Sequence, residues 1–363
     1  MAVPRHCPLP TSAAPPNVSV VSAPLPSTTP AAAAASYPRL VSDIGGTNAR
    51  FAFVAQAGAA PAHLQTLSVP AFAGPAEAAT AYLGDLQARL GAAYRAPRRA
   101  SFAVATAVQG DQVVFTNSRW SFSRESVRQA LGLDALVVLN DFEALALSLP
   151  HLHPAQWRAH GAAPAGGEAA LGTVVAVVGP GTGLGVGAVL RTASGWQALP
   201  GEGGHATLSA SDALESEVIA VVRRQFPHVS AERLLSGIGL PLLHAALAEV
   251  RGLGAVPATG AEAIVNAAGS GDPLAAATLE LFCALLGSFA GNVALTLGAR
   301  GGLYVGGGIV PRFADRFFAS AFRERFEAKG RLRDYLSAVP TALIVDTHAA
   351  LSGAALAADL SAA

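Results

Sequence analysis

Apolar and polar positions follow one strand-like grammar in two separate stretches of the chain. Leu40 to Val54 reads LVSDIGGTNARFAFV, an apolar strand, a Gly-Gly-Thr-Asn turn and an alternating second strand. Leu171 to Leu190 reads LGTVVAVVGPGTGLGVGAVL, in which Val174 to Val178 predicts a strand and Val186 to Leu190 its returning partner across a glycine-rich turn. This second stretch runs twenty residues without a charge, the length of a membrane span, but its glycines and Pro180 break it into a hairpin. Two such hairpins about 130 residues apart predict paired α/β lobes, each presenting a glycine turn to a shared cleft. Further strands are expected at Ser101 to Ala105, Leu136 to Leu139, Gly302 to Val305 and Ala342 to Val345. Helices are expected between them, at Pro75 to Ala92, Asp212 to Gln225, Asp272 to Leu297, Pro311 to Ala328 and Ala349 to Ala358, the last folding back on the first lobe. Apolar Leu281 to Leu297 suits a core, with an interface as the alternative.

Composition narrows the class. At 363 residues the chain exceeds the usual single core, and 52% hydrophobic against 13% charged residues let it bury enough surface to fold. Lys+Arg 24 balance Asp+Glu 24, so the electrostatic footprint of a nucleic-acid or acidic-lipid binder is missing and small molecules are the expected partners. Cys7 and Cys283 lie too far apart in sequence to suggest a disulfide framework or a cysteine-rich zinc site. Lys329 is the only lysine and belongs to no GxxxxGK[ST] string, which removes the P-loop; its charged helix-to-loop segment suggests a solubility role. Residues 1–37 are mainly Ala, Pro, Ser and Thr, and are expected to be a disordered extension. The repeated prolines interrupt both a secretory signal and an amphipathic transit peptide.

Four loops carry candidate chemistry. In Asp43-Ile44-Gly45-Gly46-Thr47-Asn48, the glycines admit a polyanion to the backbone N–H groups, Thr47 and Asn48 add donors, and Asp43 suits Mg²⁺. An ordinary tight hairpin fits that string equally well. The turn Gly179-Pro180-Gly181-Thr182-Gly183-Leu184-Gly185 has GxGxG and not GxGxxG spacing and leads into a strand, so a dinucleotide fingerprint is disfavoured against a hairpin facing the first turn. Asn140-Asp141 ends an apolar strand. Alone, Asp141 reads as the N-cap of a helix over Glu143 to Leu149; inside a cleft it suits a base that accepts a hydroxyl proton, with Asn140 orienting the hydroxyl. In Leu199-Pro200-Gly201-Glu202-Gly203-Gly204-His205, Glu202 and His205 suit two neighbouring hydroxyls of a polyol better than a metal, because no second histidine or cysteine stands at ligand spacing. Glu232 reads as a first-turn residue of a helix capped by Ser230. Gly306-Gly307-Gly308 before Pro311 offers either a shelf for a flat ring or a plain strand-to-helix turn.

Taken together, DIGGTNAR, NDFEA, GPGTGLGVG, LPGEGGH, HVSAERLLSG and GGGIVPRF, in this order from Leu40 to Ala358, resemble the bacterial glucokinase family, a hexokinase-like branch of the actin-type ATPases. The resemblance implies a two-lobed actin-like (RNase H-like) α/β fold with a duplicated βββαβα core and an interlobe cleft. The small lobe would span 38–150, completed by a C-terminal helix in 346–363, and the large lobe 151–345. It implies ATP-dependent phosphorylation of D-glucose at the 6-hydroxyl, the first step of glycolysis, with Asp141 as base. Asn140, Asp141, Glu202, His205 and Glu232 would bind the sugar. Asp43, Gly45, Gly46, Thr47, Asn48, Gly181, Thr182, Gly183, Gly307 and Gly308 would bind ATP, with Mg²⁺ at Asp43. A cytoplasmic homodimer with no nucleic-acid or membrane partner is expected. Ala105-Thr106-Ala107-Val108 stands where many relatives carry Cys-Pro, and the zinc motif of the related ROK branch is missing. The alternatives are a kinase for another hexose or an amino sugar, and a sugar sensor without catalysis.

Overall fold

The computed structural model describes residues 37–115, 118–164, 169–256 and 259–360; the extension expected over 1–37 falls almost wholly outside them. Strands β1 (Arg39–Ile44), β2 (Asn48–Val54) and β3 (Ala62–Ser68) form an antiparallel meander, and helix α1 (Pro75–Leu90) leads to β4 (Arg99–Val104). A ribbon of β5 (Gln112–Val114) and β6 (Ser121–Ser123) and helix α2 (Arg124–Ala130) precede β7 (Ala135–Asn140) and helix α3 (Asp141–Ser148). The second half has β8 (Trp157–Ala159), β9 (Val174–Pro180), β10 (Leu184–Thr192) and β11 (Gly195–Leu199). Helices α4 (Ala213–Arg223), α5 (Ala231–Leu234), α6 (Gly239–Val250), α7 (Ala261–Gly269) and α8 (Pro273–Leu297) follow, and then β12 (Gly302–Val305). The chain ends with α9 (Ala314–Ala319), α10 (Phe322–Glu327), α11 (Arg333–Ser337), β13 (Thr341–Ile344) and α12 (Ala349–Leu360).

Two mixed sheets repeat one topology. The first is ordered β3-β2-β1-β4-β7 and the second β11-β10-β9-β12-β13-β8. In each, a meander supplies two antiparallel pairs and the next two strands join in parallel. This is the duplicated core of the actin-like fold, with β8 added antiparallel at one edge of the second sheet. Because helices cover both faces, β9 is buried at every position, which is why VVAVVGP reads as a continuous apolar run.

Three cores result. Leu40, Ile44, Phe51 and Phe102 of the first sheet pack on Tyr82 and Leu86 of α1. Val178 and Leu303 of the second sheet pack on Phe282, Leu285 and Leu286 of α8. This helix is apolar and long enough to cross a membrane, yet most of it is buried inside the fold. The third core lies between the sheets, where Val41, Ala103 and Leu139 meet Val177 and Ile344 across α3 and α12. These two helices touch backbone to backbone, since a Cβ on Gly353 would overlap the Ala144 carbonyl. The C-terminal helix thus packs on α3, β1 and β4.

Three expectations need correction. The helix expected over Pro311 to Ala328 is a 3-10 turn followed by α9 and α10. It breaks at Ser320, which is extended, and the freed Ala321 N–H donates to the Glu280 carboxylate of α8 at 2.9 Å. Lys329 is half-buried and not a solvated charge, because Nζ donates to the Ser288 carbonyl at 2.8 Å; burial and the neighbouring Arg325 pull its pKa down. Asp141 does not cap α3; that role falls to Asn140.

Candidate active site

Strand β7 delivers Asn140 and Asp141 to the start of α3. Asn140 Oδ1 accepts the Phe142 N–H at 2.8 Å, and its own N–H donates to the Glu143 carboxylate at 2.9 Å, a reciprocal cap. Asn140 Nδ2 donates to the Thr106 carbonyl at 3.2 Å, and the Thr106 hydroxyl donates to the Val114 carbonyl at 2.9 Å. Relieved of capping, Asp141 occupies the first helical position, with Oδ1 accepting the Phe142 N–H at 3.0 Å. Burial pushes its carboxyl up to about 7, the Asp43 charge adds to this, the Phe142 N–H opposes it, and Glu202 raises it slightly further. A carboxyl poised there suits proton exchange at neutral pH.

Asp43 ends β1. Directly opposite in the ladder, Arg50 donates from Nη1 to Asp43 Oδ2 at 2.9 Å. Burial raises the Asp43 pKa, Arg50 pulls it back, and His348, on the loop entering α12, pulls in the same direction more weakly. The turn is closed by Gly45 N–H donating to the Asn48 carbonyl at 2.9 Å, while Thr47 and Asn48 are exposed. Among the described residues Asp43 Oδ1 accepts no hydrogen bond, so this carboxylate suits Mg²⁺, which is commonly held by one or two carboxylates together with substrate phosphates. No group of three or more metal-ligating side chains occurs among the described residues.

In the second hairpin, Gly181 N–H donates to the Gly183 carbonyl and Gly237 N–H donates to the Gly181 carbonyl, both at 2.8 Å. Thr182 is exposed at the tip. Gly307 has φ +80°, and a Cβ there would strike the Pro180 carbonyl; the Ile309 N–H donates to that same oxygen at 3.2 Å. The GGG segment therefore lies against the hairpin, and Gly308 has open space around it. Beside Gly237 opens a cavity of about 520 Å³ lined by Ile238, Pro241, Leu242 and His244.

Glu202 and His205 sit on an exposed loop pinned to β10, since a Cβ at Gly204 would overlap the Leu184 carbonyl. The Ala231 N–H donates to the Ala206 carbonyl at 2.8 Å, which draws α5 alongside. Ser230 Oγ caps α5 by accepting the Arg233 N–H at 3.2 Å, as expected from sequence. Glu232 in its first turn lies with Oε1 4.0 Å from His205 Nε2, while Oε2 accepts the Leu184 N–H at 2.9 Å. A Cβ at Gly183 would overlap that carboxylate, which would have to move to admit a side chain. Asp141 is thus within electrostatic reach of Asp43 and Glu202, and His205 and Glu232 form a pair on the loop and helix next to Glu202.

The chain matches the family model described as glucokinase over residues 40–361. It is 48% identical over 324 residues to a glucokinase of Aromatoleum aromaticum, covering 89% of this chain and 95% of that protein. The chain belongs to the glucokinase family. Among solved structures, a glucokinase from an Antarctic psychrotroph superimposes with a TM-score of 0.79 at 38% identity, covering 89% of this chain and 99% of that one. A ROK family glucokinase from Streptomyces griseus shares the fold, with a TM-score of 0.56 at 21% identity over 89% of this chain and 99% of that one.

Several residues of this glucokinase-family site escaped the sequence reading. Arg50 was readable, since a Gly-Gly-Thr turn places Arg50 opposite Asp43 once the register is counted. Thr106 stands in the segment singled out for its lack of Cys-Pro, but its bond to Asn140, 34 positions on, was not readable; Phe142 and His348 had no signal, because their partners come from distant segments.

Proposed function

We propose that the chain transfers the γ-phosphoryl group of ATP to the 6-hydroxyl of D-glucose, giving glucose 6-phosphate and ADP. The observation that carries this reading is Asp141, a carboxyl at a strand end pushed up to about 7 within reach of Asp43 and Glu202. Phosphoryl transfer asks for positioning and charge neutralisation more than covalent help. Asp141 accepts the 6-hydroxyl proton, and the Asn140 amide holds the same region of the sugar. Glu202, His205 and Glu232 take the remaining hydroxyls, because a carboxylate acceptor beside an imidazole donor matches vicinal hydroxyl groups. Gly45, Gly46, Thr47, Asn48, Gly181, Thr182 and Gly183 face the phosphates from two turns. Gly307 and Gly308 and the Ile238-lined cavity take the base and ribose. Mg²⁺, held by Asp43, would neutralise charge on the phosphate oxygens. The reading includes a homodimer in the cytoplasm.

The test is ADP release by purified protein with ATP and Mg²⁺, run with glucose, fructose, mannose or N-acetylglucosamine and with no sugar. Release that depends on glucose is expected. Release driven better by another sugar would move the substrate assignment, and glucose binding with no release would replace the kinase by a sensor.

A further inference from the structure

One aromatic ring joins the hairpin of β9 and β10 to Asp141. Gly179 and Gly185 stand directly opposite each other in that ladder, and Gly187 lies two positions on, on the same face of the strand. A Cβ at Gly179 would come 2.5 Å from Phe142 Cε1, and one at Gly187 would come 2.5 Å from the Phe142 carbonyl oxygen. A Cβ at Gly185 would overlap the ring itself. The three glycines therefore form a socket filled by a single residue. At this contact the ring meets strand backbone with no sheet side chain between them, so ring and hairpin are held to move together.

Each end of this contact reaches the chemistry. The Phe142 N–H is shared between Asn140 Oδ1 at 2.8 Å and Asp141 Oδ1 at 3.0 Å, so the seat of the ring fixes the donor that orients both side chains. At the other end, the same two strands close through Pro180 and Leu184 onto the Gly181–Gly183 turn, and the Leu184 N–H holds Glu232.

We propose that Phe142 is a positioning residue: seated in the Gly179, Gly185 and Gly187 socket, it makes the orientation of Asp141 depend on the state of the phosphate turn. This rests on the reading of Asp141 as base and of the Gly181 turn as a phosphate site. Nucleotide in the turn then sets the base against the sugar hydroxyl, and a sugar held by Asn140 and Asp141 in turn favours the nucleotide-bound hairpin, because such coupling is reciprocal.

The experiment compares the wild type with F142L, F142A, G185A and F142A/G185A by melting temperature, kcat, and glucose Kd from calorimetry with and without the ATP analogue AMP-PNP. In the wild type, AMP-PNP is expected to tighten glucose binding by about fivefold or more. In F142L, kcat is expected to fall by about tenfold or more, glucose Kd without nucleotide to stay within about threefold, and the tightening to disappear. G185A is expected to melt lower, and F142A/G185A to regain melting temperature without regaining kcat. A residue that only fills space would give back both together. The proposal is overturned if F142L keeps kcat and the tightening, if the double variant regains kcat along with stability, or if AMP-PNP leaves wild-type glucose affinity unchanged. Should F142A and G185A fail to fold, F142L, which keeps much of the ring's volume, decides alone. A wild type that releases no ADP with glucose overturns the assigned reaction instead, and is seen before any variant is made.

Discussion

Replacing Asp141 by Asn separates what the desolvated carboxyl is proposed to do in catalysis from what it costs the fold. In the unfolded chain the group loses its proton near 3.8, and in the folded protein it keeps it to about 7. Between those values the folded state binds more protons than the unfolded state, so stability falls as pH rises and levels off above pH 7. A displacement from 3.8 to about 7 corresponds to about 4 kcal/mol at most. Asn has no charge to desolvate, and its Oδ1 still accepts the Phe142 N–H. The variant is therefore expected to match the wild type near pH 4 and to melt several degrees higher at pH 8, both measured without ligands. Turnover should move the other way, falling by about 10²- to 10⁴-fold as for loss of a general base. In the wild type kcat/KM should rise with pH through about 7 and then flatten. Circular-dichroism melts at pH 4, 5, 6, 7 and 8 beside steady-state kinetics test both halves. A stability gap that stays constant across that range would refute the desolvated carboxyl, and near-normal turnover would refute the base.

Two further substitutions probe the scaffold. Ala at Gly353 must displace α12 from the Ala144 carbonyl, so G353A is expected to lose about 3 kcal/mol or more, read as a lower denaturation midpoint; an unchanged midpoint would mean that the two helices do not touch there. Arg325 binds fully buried Glu215 and, at 3.0 Å, Asp212, so R325M is expected to cost about 3–5 kcal/mol by leaving a buried carboxyl without its cation. The pair R325M/E215Q should recover part of that loss, and a single variant as stable as the wild type would contradict the ion network.

Both hairpins were legible because each combines a local apolar run with a glycine turn, and local signals survive in sequence. The polar residues that close β1 and β7 were legible for the same reason, as was the Ser230 cap before Glu232. What escaped depends on partners far along the chain. The break at Ser320 is stabilised by Glu280 of α8, 41 positions away. Strand β8 is short and exposed and is defined only by pairing with β13. Arg325 finds Glu215 110 positions earlier. Even the choice between Asn140 and Asp141 as cap was contextual, since the Thr106 carbonyl anchors the Asn140 amide and leaves Asp141 at the first helical position.

The glycines of GPGTGLGVG form the hairpin expected from their sequence, and their spacing carries more than the turn. Their spacing by two does not fit a dinucleotide fingerprint. Two is also the period of a strand, which places Gly185 and Gly187 on one face of β10, with Gly179 opposite Gly185. That face meets Phe142, and Gly183 is filled instead by the Glu232 carboxylate. Gly181 alone of these five glycines has nothing within 4 Å of a Cβ position. Most of the motif's glycines thus admit the protein's own groups, the Phe142 ring beside Asp141 and the Glu232 carboxylate next to the Glu202 loop, while the turn at its tip stays open. A glycine string that serves one ligand would tolerate alanine wherever the ligand is distant. Here alanine at 179, 185 or 187 would meet Phe142, and at 183 the Glu232 carboxylate, which ties the turn, Asp141 and Glu232 to one hairpin.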